Sequence, residues 1–187
     1  GNETKTFESN IVDASTRVAQ STALFRLPVK DVLALGAALA QSGERAETGG
    51  TALFRAFTEI NQAVIQGGRV LDRFAELAGQ EPIDFAATFK TEPLVAFLNV
   101  LRGINTEVAA GADLGLVLGD LGLEGAEVAR VLGALAKTNE ELARTMALAN
   151  DEAVQNTALE REVARGADTL ASSWGRAVNA GRVLVDN

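Results

Sequence analysis

The chain has 187 residues, of which 17 are basic and 25 acidic, for a formal net charge of −8, and it contains neither cysteine nor histidine. That excludes disulfide staples, zinc fingers, zinc proteases and any nucleophile pair built on His or Cys. Lys and Arg are scattered rather than clustered, so there is no basic footprint to hold nucleic-acid phosphates.

Apolar residues make up 47% of the chain, and alanine and leucine carry most of them. Both lose little side-chain freedom in a helix, and the β-branched runs of a strand-rich protein are missing. The composition therefore predicts an all-α fold. The longest uncharged stretch, Val32 to Gly43, is twelve residues, well short of the roughly 20 that a spanning helix needs. Gly1 to Ser9 is polar and carries no secretory signal. The one methionine is Met146, and the lack of an initiator is read as the mark of a fragment from a longer protein.

In chain order, Phe7, Ile11, Ala14, Val18 and Phe25 recur at helical spacing and predict an amphipathic helix from Glu3 to Phe25. Pro28 suits the first turn of a second helix, whose Val32, Leu33, Leu35 and Leu39 are apolar on most sides and which stops at Gly43. Thr48-Gly49-Gly50-Thr51 reads as a break and a restart. Leu53, Phe54, Phe57, Ile60 and Val64 form the next stripe, which ends at Gly67-Gly68. A helix carrying Phe74 and Leu77 runs to Gly79, Pro82 opens a short one, and Pro93 opens another. Gly111, Gly115 and Gly119 are spaced as a small-residue zipper, read as tight helix packing or a turn, and Asp120 to Gly125 reads as a turn. A helix follows from Glu127 to Lys137. Thr138 with Glu141 then fits a capping box, opening a proline-free helix of roughly 70 Å at 1.5 Å per residue.

These elements predict a compact bundle of short helices with glycine turns over residues 1–137, then a long C-terminal helix over 138–187 that packs on the bundle or on a partner. The helix-turn motif residues are Gly43, Gly49, Gly50, Gly67, Gly68, Gly122 and Gly125. Leu159, Val163, Leu170 and Trp174 are spaced as a helix–helix interface on the long helix.

Paired carboxylates are the one catalytic option that this composition leaves, since glycoside hydrolysis needs only two. Glu140-Glu141 and Asp151-Glu152 fall on faces predicted to be solvated, and the glycine pairs lack the lysine and the preceding strand of a phosphate loop. The sequence thus predicts no catalytic residue, no metal ligand and no cofactor, and a non-enzymatic role.

One ordered series of motifs carries a resemblance. Asp31-Val-Leu-Ala-Leu-Gly-Ala-Ala-Leu-Ala40, the loop Gln41 to Gly50 and Thr51-Ala-Leu-Phe-Arg-Ala-Phe57 are followed by Phe74 to Gly79, Asp84 to Phe89, Pro93 to Leu98, Asp120 to Gly125 and Asn150 to Ala158. In this order the series resembles the core region of tail tape measure proteins of long-tailed phages and prophages, over roughly residues 10–187. The resemblance implies a structural segment that sets tail-tube length during assembly and leaves ahead of the DNA at infection. It implies as partners other copies of itself, tail tube and tail tip proteins and tail assembly chaperones, without specific nucleic-acid binding. Membrane contact would come only through other parts of the parent protein. It also implies a place in the lumen of the virion tail tube after synthesis in the host bacterial cytoplasm. A fixed rise per residue suits a helix to measuring length, and an acidic surface would not grip passing DNA. The alternative reading is a generic helical protein–protein interaction module with no phage role.

Overall fold

The computed structural model describes residues 2–139, all within one compact unit. Among the described residues there is no strand, so the all-α expectation holds. The elements are α1 (Asn2–Thr22) with a 3₁₀ turn at Ala23–Phe25, α2 (Val29–Gln41), α3 (Ala46–Gln66), α4 (Arg69–Ala78), α5 (Pro82–Thr91), α6 (Pro93–Ala109) and α7 (Leu114–Gly119). An eighth helix, α8, occupies residues 126–139. The predicted long helix over 138–187 lies, beyond its first two residues, outside the described residues. At those two residues the expected restart is not seen. Thr138 continues α8, and its hydroxyl donates back to the carbonyls of Ala134 and Leu135 instead of capping a new helix.

Local chemistry sets most helix ends. Pro82 and Pro93 occupy first turns, where the missing N–H costs nothing. Three helical segments close with the same paired hydrogen bonds. The Gln80 N–H donates to the Ala75 carbonyl and that of Gly79 to Glu76. Ala112 and Gly111 repeat this on Glu107 and Val108, and Leu123 and Gly122 on Leu118 and Gly119. These are Schellman closures, in which a left-handed residue lets two otherwise orphaned carbonyls be satisfied. Asp113 caps α7 by accepting from the Leu116 N–H at 3.0 Å.

The helices pack as two sets. α1 lies along α2 and α3, while α4, α5 and α6 pack on one another. Phe57 of α3 joins the sets, its ring centroid 5.0 Å from Phe97 of α6, 5.4 Å from Phe25 and 6.2 Å from Phe89 of α5. Phe57 is fully buried, and burial of such a ring contributes about 1.5–3 kcal/mol. Phe74 of α4 stacks parallel on Phe85 of α5 at 6.1 Å. Arg73 ties α4 to α6 through a two-pronged contact with Glu107, at 2.8 and 2.6 Å, and also reaches Glu76.

Two crossings depend on glycine for a reason other than backbone conformation. A Cβ on Gly103 in α6 would overlap the Leu77 carbonyl at the end of α4, and one on Gly36 in α2 would overlap the backbone and hydroxyl of Ser15 in α1. The helix backbones approach too closely there for any side chain. Gly119, by contrast, has nothing within 4 Å of its Cβ position.

The contrast gives a mutational test. Gly103→Ala and Gly36→Ala should each lower stability by about 2–3 kcal/mol through overpacking. Gly119→Ala should raise it by about 0.5–1 kcal/mol through the lower cost of ordering alanine in a helix. Urea-unfolding midpoints of the three variants measure both signs.

Candidate functional site

The glycines singled out in the sequence fall into two groups. Gly43, Gly67, Gly68, Gly122 and Gly125 all have positive φ and lie between helices. Gly49 and Gly50 do not form a break, contrary to the sequence reading. They lie buried inside the first turns of α3, which starts at Ala46, and the Gly49 N–H already donates to the Arg45 carbonyl at 2.9 Å. The physical reason is close packing. A Cβ on Gly49 would sit 2.8 Å from the Leu39 methyls of α2, and one on Gly50 would sit 2.9 Å from the Ser21 Oγ of α1. The true break is the loop before them, residues 42–45, with Gly43 at φ 73°. The spacing of Gly111, Gly115 and Gly119 likewise forms no zipper face. Gly111 terminates α6, and Gly115 and Gly119 are helical residues of α7, where Asp113 is the nearest neighbour of a Gly115 Cβ and Gly119 faces open space.

The turn glycines near residue 120 are brought against α3. Gly122 lies beside the Glu59 carboxylate, and Arg55 Nη1 donates to the Glu124 carbonyl at 2.9 Å next to Gly125. Arg130 of α8 pairs with Glu44 of the α2–α3 loop. Asn139, buried at the far end of α8, donates from Nδ2 to the Leu98 carbonyl of α6 at 2.8 Å. The segment after α6 therefore returns over both helix sets. Leu159, Val163, Leu170 and Trp174, proposed from the sequence as an interface, lie outside the described residues, as do Glu140-Glu141 and Asp151-Glu152.

Two open grooves flank α1. One, of about 320 Å³, is lined by Asn10, Asp13 and Ala14 of α1 and by residues 43–46 of the following loop and α3 start. The other, of about 500 Å³, is lined by Asp13, Thr16, Arg17, Gln20, Arg45 and Glu47. Both mix acids and bases on a solvent-facing rim and gather no nucleophile with a base. Among the described residues no group of three acidic side chains is placed to hold a metal ion, and no helix is long and apolar enough to cross a membrane.

Asp31 is the charged side chain with the most unusual setting. It sits buried in the first turn of α2. Burial pushes its pKa above the ordinary aspartate value, Lys30 pulls it back, and Glu92 at the α5–α6 junction adds to the rise. Sequence reasoning passed over it because an acid in a first helical turn is commonplace. It also passed over Gly36 and Gly103, although a glycine amid strong helix formers costs stability and so signals a packing reason.

Compared with protein-family models, curated proteins and solved structures, the chain matches none.

The raised Asp31 pKa has a pH consequence. Below the ordinary aspartate pKa the carboxyl is neutral in both folded and unfolded chains, so burying it costs little. As pH rises through the higher folded value, the folded state must bury a charge and loses stability relative to its acid form. Asp31→Asn should therefore gain in urea midpoint over the parent at pH 7 and show little difference at pH 3. An equal midpoint difference at both pH values would contradict the assignment.

Proposed function

We propose that this chain is a structural, non-catalytic segment of a tail tape measure protein, acting in the lumen of a phage tail tube to set its length and leaving ahead of the DNA. The observation that carries the reading is the ordered run of glycine-punctuated helix motifs, strongest from Asp31 to Phe57 and continued to residue 158. The helical architecture of residues 2–139 is consistent with it. A ruler needs a reproducible length per residue, and a helix supplies it at 1.5 Å. The net charge of −8 suits a molecule that shares a channel with DNA without binding it. Its partners in this reading are further copies of itself, the tail tube and tip proteins, and the chaperones that keep it unaggregated before assembly.

Within this reading the α3 start at Ala46 rather than at Gly50 matters. Gly49 and Gly50 serve packing in the compact form, so the motif that carries the resemblance is also a motif of close helix contact.

The test is tail length. In a phage or prophage whose parent gene encodes this sequence, in-frame deletion of residues 2–139 should shorten the tail measurably, by up to roughly 200 Å, the length of these residues drawn out as one continuous helix, in electron micrographs of negatively stained particles. Tails of unchanged length would overturn the ruler reading and leave an interaction module unconnected with measuring.

A further inference from the structure

The junction between the two helix sets is built unlike the other turns. α3 ends at Gly67 and α4 is capped by Gly68, with φ/ψ of 71°/−160° and 77°/−163°. This backbone region is essentially restricted to glycine, and here two such residues follow each other. Nothing lies within 4 Å of a Cβ position on either, so the two glycines themselves are held by no neighbour, although α3 and α4 touch elsewhere along their length. The Schellman turns at Gly79, Gly111 and Gly122 are each closed by paired hydrogen bonds. At Gly67 the N–H donates to the Ala63 carbonyl at 2.8 Å, and the chain passes directly into α4.

What holds the sets together lies away from that junction. The aromatic part is the ring contact of Phe57 with Phe89 and Phe97, together with that of Phe25 with Phe89 at 6.2 Å. Beside it runs the strap formed by residues 120–130, whose Leu121, Leu123 and Val128 are buried and which is tied to the α1–α3 set through Arg55 to the Glu124 carbonyl and through Arg130 to Glu44. The other end of α8 is anchored differently, by the buried Asn139–Leu98 bond to α6. The two attachments of the strap are therefore unequal. Its Arg55 bond to the α3 side is at the surface, where water competes for it. Its Arg130 bond is half-exposed, with the Glu44 side chain only 8% exposed, and its bond to the α6 side is sealed.

We propose that the bundle opens about Gly67-Gly68 as two bodies, α1–α3 on one side and α4–α6 with the strap on the other. The strap's polar bonds to the α1–α3 body and the ring contacts of Phe57 and Phe25 act as the clasp. Helices are kept in the open form, because the packing of α1 on α2 and α3, and of α4 on α5 and α6, lies within each body. Such opening is a sub-global reaction with its own equilibrium, below global unfolding. It is independent of the tape measure reading and would stand or fall in any setting of this chain.

The absence of cysteine makes the test direct. Val12 of α1 and Ile83 of α5 are 58% and 79% exposed, so Val12→Cys with Ile83→Cys gives one labelling site on each body of the full chain. Single-molecule energy transfer between the two labels is followed through a urea series, alongside helix content by circular dichroism. The expected result is a low-transfer population that appears while helix content is still native. Phe57→Ala should raise that population at least tenfold. Arg55→Ala, which touches only the surface clasp, should raise it several-fold with native helix content kept, and it keeps the test decisive if Phe57→Ala fails to fold. Loss of transfer coincident with loss of helix, in both the parent and Arg55→Ala, would overturn the proposal and make the bundle one cooperative block.

Discussion

The structure depends on the burial of Phe57. This ring receives Phe25 from the turn after α1, Phe89 from α5 and Phe97 from α6, so one side chain of α3 meets three other elements. The sets α1–α3 and α4–α6 are each held by their own helix contacts, and their direct chain link is a pair of glycines with no side chain of their own to pack. The aromatic contact supplies the packing that the link lacks. Around it the polar ties are economical. Arg73 binds α4 to α6 with a bidentate carboxylate contact, whose charge-assisted geometry is worth more than a loose surface pair. The strap of residues 120–130 adds Arg55 and Arg130 at the rim.

Much of the helix plan is legible in the sequence because its signals are local. The apolar rungs of Leu53, Phe57 and Ile60, the prolines at 82 and 93, and the glycines at 43, 67, 68, 79 and 122 each act within one or two turns of chain, and the helices end where they indicate. The failures occur where a distant partner decides. Gly49-Gly50 has the composition of a break, but Leu39 and Ser21 from two other helices press so closely on it that only glycine fits, and the helix continues through. Thr138 and Glu141 match a capping pattern, but the preceding turn of α8 already supplies acceptors for the Thr138 hydroxyl. Gly111 and Gly115 have the spacing of a zipper, but Asp113 between them caps the start of α7 and places them in different elements.

The functional reading divides in the same way. Composition removes whole classes of chemistry from consideration, and the tail-ruler reading proposed above rests on motif order. Residues 2–139 add two open polar grooves beside α1 and a buried aspartate in α2. The glycines of the turn motif are brought together in a structural sense: Gly122 and Gly125 meet α3, and Gly49 and Gly50 meet α1 and α2. In this molecule glycine has two uses, release of backbone angle between helices and contact between helix backbones, and spacing alone does not separate them. The chemistry around each position does, since a glycine inside a run of Ala, Leu and Phe has a neighbour to accommodate.

The three Schellman closures also bear on how the chain reaches this structure. Each satisfies its helix terminus with bonds spanning five residues or fewer, so the reversals after Ala78, Ala109 and Gly119 are encoded before any distant segment arrives. Neighbouring helices then meet as hairpins, with contacts at small sequence separation. Chains of that kind lose little loop entropy before contacts form, and they assemble in microseconds to milliseconds rather than seconds. The longest loops to close in such a scheme are those of the strap, Arg55 to Glu124 and Arg130 to Glu44, 69 and 86 residues apart, so the last event to expect is the return of α8 onto the α1–α3 set and not the formation of the helices.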